Sequence, residues 1–333
     1  MQTRFILQRL RSRKLIQYLI LIILIVTMNF LLPRLLPGNP LAFLVGEEAW
    51  SLTSAEKEAV LEKYHLNKPL LVQYLYYLKD LVTFNWGDSY TKKQPITQVL
   101  WAAVPWTLLL AFSNLLIASV LGSFLGAMAA LKRKSRLDVN LLLVVSFISS
   151  APSFWIGMIL ISVFAVKLDL FPIYGAYSLW TDYTGLARVY DILWHLFLPL
   201  ATLVILSLSG FFLTMRYSLL EVLGEDFVLM ARAKGLSDKI IKYRYIMRNA
   251  LLPVFTIFMM DLGYIFSGAI VVETVFSYPG IGRIMYEAVI ARDYPLLQYS
   301  FLLISLMVIL ANYIADLIYP IIDPRVVKEN AAS

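Results

Sequence analysis

Long apolar runs, separated by short polar segments, organise this chain. Six of them approach the roughly 20 residues that a helix needs to cross a bilayer core. They lie at about 15–33, 101–131, 139–166, 195–215, 251–272 and 299–320. The second and third are long for a single crossing, which predicts tilt or extension beyond the bilayer. The pattern changes between the first two runs. Segment 34–100 is too long for a simple connection, and it carries helix signals of its own. Thr53-Ser-Ala-Glu56 has the spacing of a capping box and precedes the helix-forming AEKEAVLEKY. LLVQYLYYLKDLV then sets apolar and aromatic residues at helical spacing. The expected fold is an all-α membrane protein with six transmembrane helices.

Basic residues give this array a direction, because Lys and Arg concentrate on the cytoplasmic side of a membrane. They cluster before the first run (Arg4, Arg9, Arg11, Arg13, Lys14) and between the second and third (Lys132, Arg133, Lys134, Arg136). They cluster again between the fourth and fifth (Arg216, Arg232, Lys234, Lys239, Lys242, Arg244, Arg248) and after the sixth (Arg325, Lys328). With six spans all four clusters fall on one side, and both termini are expected in the cytoplasm. The opposite loops balance Lys167 and Arg188 with Asp169, Asp182 and Asp191. The expected divisions are a cytoplasmic N-terminus with the first span at 1–33 and an extracytoplasmic helical segment at 34–100. A transmembrane core at 101–322 contains a cytoplasmic loop at 216–250, and a cytoplasmic tail follows at 323–333. The basic N-terminus suggests a secretory signal, but PRLLPGNP follows its apolar run without a small-residue cleavage pattern, so a retained span is expected.

Composition agrees. Of 333 residues 60% are hydrophobic and 15% charged, against about 45–50% and 25% in soluble domains. The net charge of +7 is explained by membrane topology rather than nucleic acid. No cysteine is present, and the two histidines, His65 and His195, stand apart in sequence. No GxxxxGK[ST] loop, HExxH pair or GxSxG elbow occurs, so no catalytic site, cofactor site or metal site is expected in this chain. Ser146, Ser149 and Ser150 are expected to bond backbone carbonyls. Gly122-Ser-Phe-Leu-Gly126 has the small-xxx-small spacing that lets helices approach closely. Asp261, Glu273 and Asp316 lie in or beside apolar runs. Asp261 is the most central of them in its run, where a carboxylate is costly unless it meets water or a partner. It is read either as lining a translocation path or as a carboxylate bonded between helices.

The segment from Glu225 to Arg248 is unusual for a connecting loop. EDFVLMARAK contains good helix formers, and Gly235 is a natural stop. Glu225 and Asp226 suit the positive end of a helix, and Arg232 and Lys234 suit the negative end. Phe227, Met230 and Ala231 are expected to share an exposed apolar face. Ser237 and Asp238 are expected to start a second helix leading back to Leu252-Pro253. A capped helix with an apolar face suits docking into a groove of a soluble partner.

Here the chain resembles a known family. ARAKGL followed by RNALLP is similar to the cytoplasmic loop of ABC-transporter permeases, specifically the first permease subunit of oligopeptide and dipeptide importers. LLPRLLPGNP, ITQVLWAAVPWTLLLA, VVETVFSYPGIG, ARDYPLLQ and DLIYPIIDPR extend the resemblance over nearly the whole chain. There are departures. Leu229, Met230 and Ala231 stand where the family's loop is named for Glu-Ala-Ala, and only the second Ala remains. Tyr245 replaces a frequent His and Asn39 a frequent Asp. Asp261 lies outside the resemblance.

The resemblance implies that the chain forms half of a translocation path with a homologous second permease subunit. Two cytoplasmic ATPases would bind ATP and Mg, and an extracytoplasmic solute-binding protein would deliver substrate. Glu225, Asp226, Phe227, Met230, Ala231, Arg232, Ala233, Lys234 and Gly235 would form the coupling helix seated on one ATPase. It implies a bacterial or archaeal cell membrane and a peptide substrate, with nickel chelates or oligosaccharides as alternatives. A rival class, an ion-coupled secondary transporter working through Asp261, would often show inverted repeats. None is evident in the sequence.

Overall fold

In hydrocarbon a chain must satisfy its own backbone hydrogen bonds, so the apolar runs fold as helices. The computed structural model describes residues 2–35, 53–63, 67–264, 266 and 269–322. In chain order the helices are α1 (Gln2–Leu35), α2 (Ser54–Lys63), α3 (Leu70–Val82), α4 (Ile96–Leu131), α5 (Arg136–Ser149) and α6 (Ser153–Leu160). They continue with α7 (Gly185–Leu223), α8 (Asp226–Ala233), α9 (Asp238–Ile240), α10 (Arg248–Tyr264), α11 (Ala269–Val275), α12 (Ile281–Ile290) and α13 (Tyr294–Ile322). Two π-helical stretches, Ile161–Lys167 and Ile241–Met247, continue α6 and join α9 to α10. Among the described residues, five helical stretches are long and apolar enough to cross a membrane, and the bent pair α5–α6 brings the number to six if it is one span.

Two expected runs are corrected and one is extended. Run 139–166 is not one straight span: its two halves meet at 103°. Pro152 disfavours helical geometry in the residue before it. Just upstream, the Ser149 and Ser150 hydroxyls each donate to the Ser146 carbonyl at 3.0 Å, as expected of intramembrane serines. The fourth run, expected at 195–215, is the core of the much longer α7. The fifth, expected at 251–272, begins at Asp238 and runs unbroken through the π stretch to Tyr264, with Pro253 inside it. The helix expected to start at Ser237 and Asp238 does lead back to Leu252-Pro253, continuous with this span, and the last part of the expected run is the distinct helix α11.

The chain divides into two compact units. One comprises Gln8–Leu108 and Pro279–Leu310. Its core gathers Phe30, Tyr77, Trp86, Ile96, Ile281 and Tyr299. Trp86 stacks on Tyr299 with ring centroids 5.1 Å apart, and the Asn29 amide donates to the Tyr77 hydroxyl at 3.0 Å. Asp293 is buried. One carboxylate oxygen accepts from the Leu296 N–H at 3.2 Å, capping α13. The other accepts from Ser89 Oγ at 2.6 Å, the Thr91 N–H at 2.9 Å and Thr91 Oγ1 at 2.8 Å. One side chain thus anchors the 89–91 loop to a helix start. The expected capping box is present: the Thr53 N–H donates to Glu56 Oε2 at 2.8 Å, and the Glu56 N–H to Thr53 Oγ1 at 3.4 Å.

The other unit comprises Met1–Leu7, Leu109–Tyr278 and Ala311–Ser333. Here the two small residues of α4 lie directly on α7. A Cβ at Gly122 would come within 2.7 Å of the Leu208 carbonyl, and one at Gly126 would overlap the Phe212 carbonyl. Only glycine permits this approach, and the close fit supplies the dispersion contacts that hold helices together in lipid. The core between them continues through Phe211, Met215 and Leu219 of α7 toward α8 and α10.

Candidate functional site

Helix α8 starts and stops sharply. Glu225 is extended at the N-cap (φ −75°, ψ 143°) without a side-chain capping bond, and Asp226 occupies the first turn, where the helix dipole favours an acid. At the other end Gly235 has φ +72°, the left-handed geometry expected of it. Its N–H donates to the Arg232 carbonyl at 2.9 Å, and the Leu236 N–H to the Ala231 carbonyl at 3.3 Å. These two bonds form a Schellman motif, and Leu236 packs on the core that contains Ala231, a contact that often accompanies the motif. A Cβ at Gly235 would touch nothing within 4 Å. Glycine is needed there for the backbone alone.

The structure divides the expected docking face. Val228 and Ala231 are only 2% and 3% exposed. They join the core formed by Met215, Leu219, Ile241 and Ile246, with Phe227 packed at its edge. Phe227 and Ala231 therefore point inward, and of the three expected docking residues only Met230 faces out. The cause is Val228, which draws the centre of the apolar stripe toward itself and leaves Met230, about 200° away, on the far side at 100° per residue. The outward face consists of Asp226, Leu229, Met230 and Ala233, at spacing i, i+3, i+4, i+7. Leu229 and Met230 are 62% and 59% exposed. Glu225, Arg232 and Lys234 are exposed around this face. The outward spacing is visible in the sequence but is masked there by the equally good spacing of the buried stripe.

Asp261 lies in α10, half-buried, with no hydrogen bond or ion pair among the described residues. Two residues on, Gly263 is covered by the side-chain amide of Asn312 in α13. Glu273 is fully buried in α11 and Asp316 is half-buried in α13. His195 does not stand alone: Asp191 is one turn earlier, its carbonyl 2.8 Å and its carboxylate 3.3 Å from Nδ1. The same carboxylate accepts from the Ser178 N–H and Oγ at 2.7 Å each, pinning the 170s loop to α7. His65 lies outside the described residues.

Known proteins place this geometry in context. Residues 122–328 match the model of a family described as the binding-protein-dependent transport system inner membrane component. The chain is 34% identical over 304 residues to the oligopeptide transport system permease protein AppB of Bacillus subtilis, covering 91% of this chain and 94% of that protein. It is 36% identical to the di/tripeptide transport system permease protein DppB of Pseudomonas aeruginosa, over 90% and 93% of the two chains. It is 33% identical to the dipeptide transport system permease protein DppB of Escherichia coli K12, over 91% and 94%. Among solved structures, an inward-facing MetNI methionine ABC transporter shares the fold, with TM-score 0.56 at 17% identity. The match covers 69% of this chain and 98% of that one.

Proposed function

This chain belongs to the family of binding-protein-dependent transport system inner membrane components, and we propose that it forms half of the translocation path of a dipeptide or oligopeptide importer. As a multi-pass permease it is the transport component of an ABC system. In this reading the chemistry is done elsewhere. Two cytoplasmic ATPases bind ATP with Mg, and this chain holds no catalytic or cofactor site. A solute-binding protein delivers peptide from outside, and a homologous second permease completes the path in a heterodimer. The membrane is that of a bacterial or archaeal cell, with both termini in the cytoplasm.

The outward face of α8 carries the proposal. An exposed Leu229–Met230 pair, flanked by Asp226 and Ala233, lies on a short helix whose other face is fixed in the core. Exposed apolar side chains on a rigid helix suit insertion into a groove. The core contacts let a push on α8 reach the spans. Glu225, Arg232 and Lys234 form its charged rim, Phe227 and Ala231 tie it to the core, and Gly235 sets its end. Asp261, a carboxylate without a described partner inside a span, is assigned to the path itself.

The test is Met230→Asp in the full complex. A charge entering an apolar groove bears a desolvation cost with no compensating partner. The permease should remain inserted at normal abundance but lose ATPase co-purification and peptide uptake. Full retention of both would refute docking through this face. Uptake of labelled dipeptides and tetrapeptides by the wild-type complex tests the substrate class separately.

A further inference from the structure

Arg216, on α7, and Asp138, in the first turn of α5, form a bidentate ion pair. Arg216 Nε donates to Asp138 Oδ1 at 2.7 Å, and a terminal guanidinium nitrogen donates to Oδ2 at 3.0 Å. Their side chains are 11% and 3% exposed. Asp138 Oδ2 also accepts the Lys134 N–H at 3.0 Å, and the Asp138 N–H donates to Ser135 Oγ at 3.3 Å, capping α5. One carboxylate therefore holds the α4–α5 turn, the start of α5 and α7 together.

We propose that this ion pair is the joint through which movement of α8 reaches the bent span α5–α6. The inference rests on the coupling reading of α8. Two links precede the joint. Val228 and Ala231 of α8 share a core with Met215 and Leu219 of α7, so a displaced α8 moves that end of α7. Arg216 follows Met215 directly. Beyond the joint, α5 meets α7 through a small apolar cluster that includes Val145 and Phe212. Apolar contact carries a push but is non-directional. A guanidinium fork on a carboxylate fixes distance and rotation together.

Stability alone is a poor reason for this pair. A buried ion pair is often no more stable than well-packed apolar residues of similar volume, though removing one partner alone is damaging. That asymmetry provides the experiment. Asp138→Leu combined with Arg216→Met leaves no unpaired charge, so the chain should insert and co-purify with its ATPases. Peptide uptake per ATP hydrolysed should fall by about tenfold, within the range of coupling between distant sites. Arg216→Lys keeps the charge without the fork and should lower the same ratio by a smaller factor.

An unchanged uptake-to-hydrolysis ratio in the double variant would overturn the joint and leave a structural ion pair. Loss of the ATPases from the double variant would also overturn it, because the pair would then position the docking face rather than transmit its movement. If the double variant does not insert, Arg216→Lys decides, and wild-type coupling in it overturns the proposal. Failure of docking itself is read independently from Met230→Asp, in which the pair is intact.

Discussion

Replacing Gly235 with alanine adds one methyl group to a position with nothing within 4 Å of it. A purely steric view predicts no effect. The backbone predicts a clear one. At φ +72° an L-residue with a Cβ costs about 1–2 kcal/mol. That corresponds to a roughly 5–30-fold loss in the population of the correct turn. The loss falls on the two bonds that close α8, from Gly235 N–H to the Arg232 carbonyl and from Leu236 N–H to the Ala231 carbonyl. Asparagine tolerates the left-handed region better, and a β-branched residue tolerates it worse. Uptake should therefore fall in the order Gly, Asn, Ala, Val. The position is exposed, so permease abundance should hold for Asn and Ala. The assay is peptide uptake and ATPase co-purification for the wild type and the three variants, each normalised to permease in the membrane. Wild-type behaviour of Gly235→Ala, or equal damage by Asn and Val, would refute the argument from backbone geometry.

Gly126→Leu should reduce inserted permease and lower its melting temperature, because its side chain would overlap the α7 backbone at Phe212; overpacking typically costs about 1–3 kcal/mol. Asp261→Cys, in a chain without native cysteine, should react with a small hydrophilic thiol reagent in at least one nucleotide state of the complex. Protection in every state would remove Asp261 from the path. Burial pushes the Glu287 carboxyl up, but Lys92 at 2.7 Å and Arg283 at 2.7 Å outweigh it and hold the group below its usual range. A depressed folded value stabilises above the unfolded value of about 4.3 and is lost as pH falls through the folded value. The melting difference between wild type and Lys92→Met should thus be present at neutral pH and close in acid. At about a third exposure its size should stay below about 1 kcal/mol. A gap that widens on acidification would reverse the assignment.

The apolar runs made the spans legible, because length and composition decide whether a helix can cross a bilayer. Span ends were less legible. α7 extends well beyond its apolar centre because polar residues such as Arg188 and Glu221 cost nothing outside hydrocarbon and are good helix formers. The bend at Ser150-Ala151-Pro152 was written in the sequence, but apolar continuity on either side outweighed it. Gly235 was readable because one backbone geometry demands one residue type. The face of α8 was not, since an eight-residue helix carrying two apolar stripes does not say which is buried until α7 and α10 are in place. Asp138 and Arg216 gave no signal at all. They are 78 positions apart, and each looks like an ordinary charge near a span end.

The π stretch Ile241–Met247 gives the chain a length constraint. A π turn holds one residue more than the α register has room for. Deleting a single residue there would restore the α register. Downstream residues, Asp261 included, would keep nearly the same angle relative to Gly235, whereas closing the wide turn with the extra residue still present would swing them by about 100°. The angle between Gly235 and Asp261 thus depends on the wide turn that absorbs the extra residue. A homologous chain that lacks the extra residue would hold the same angle with an uninterrupted α-helix.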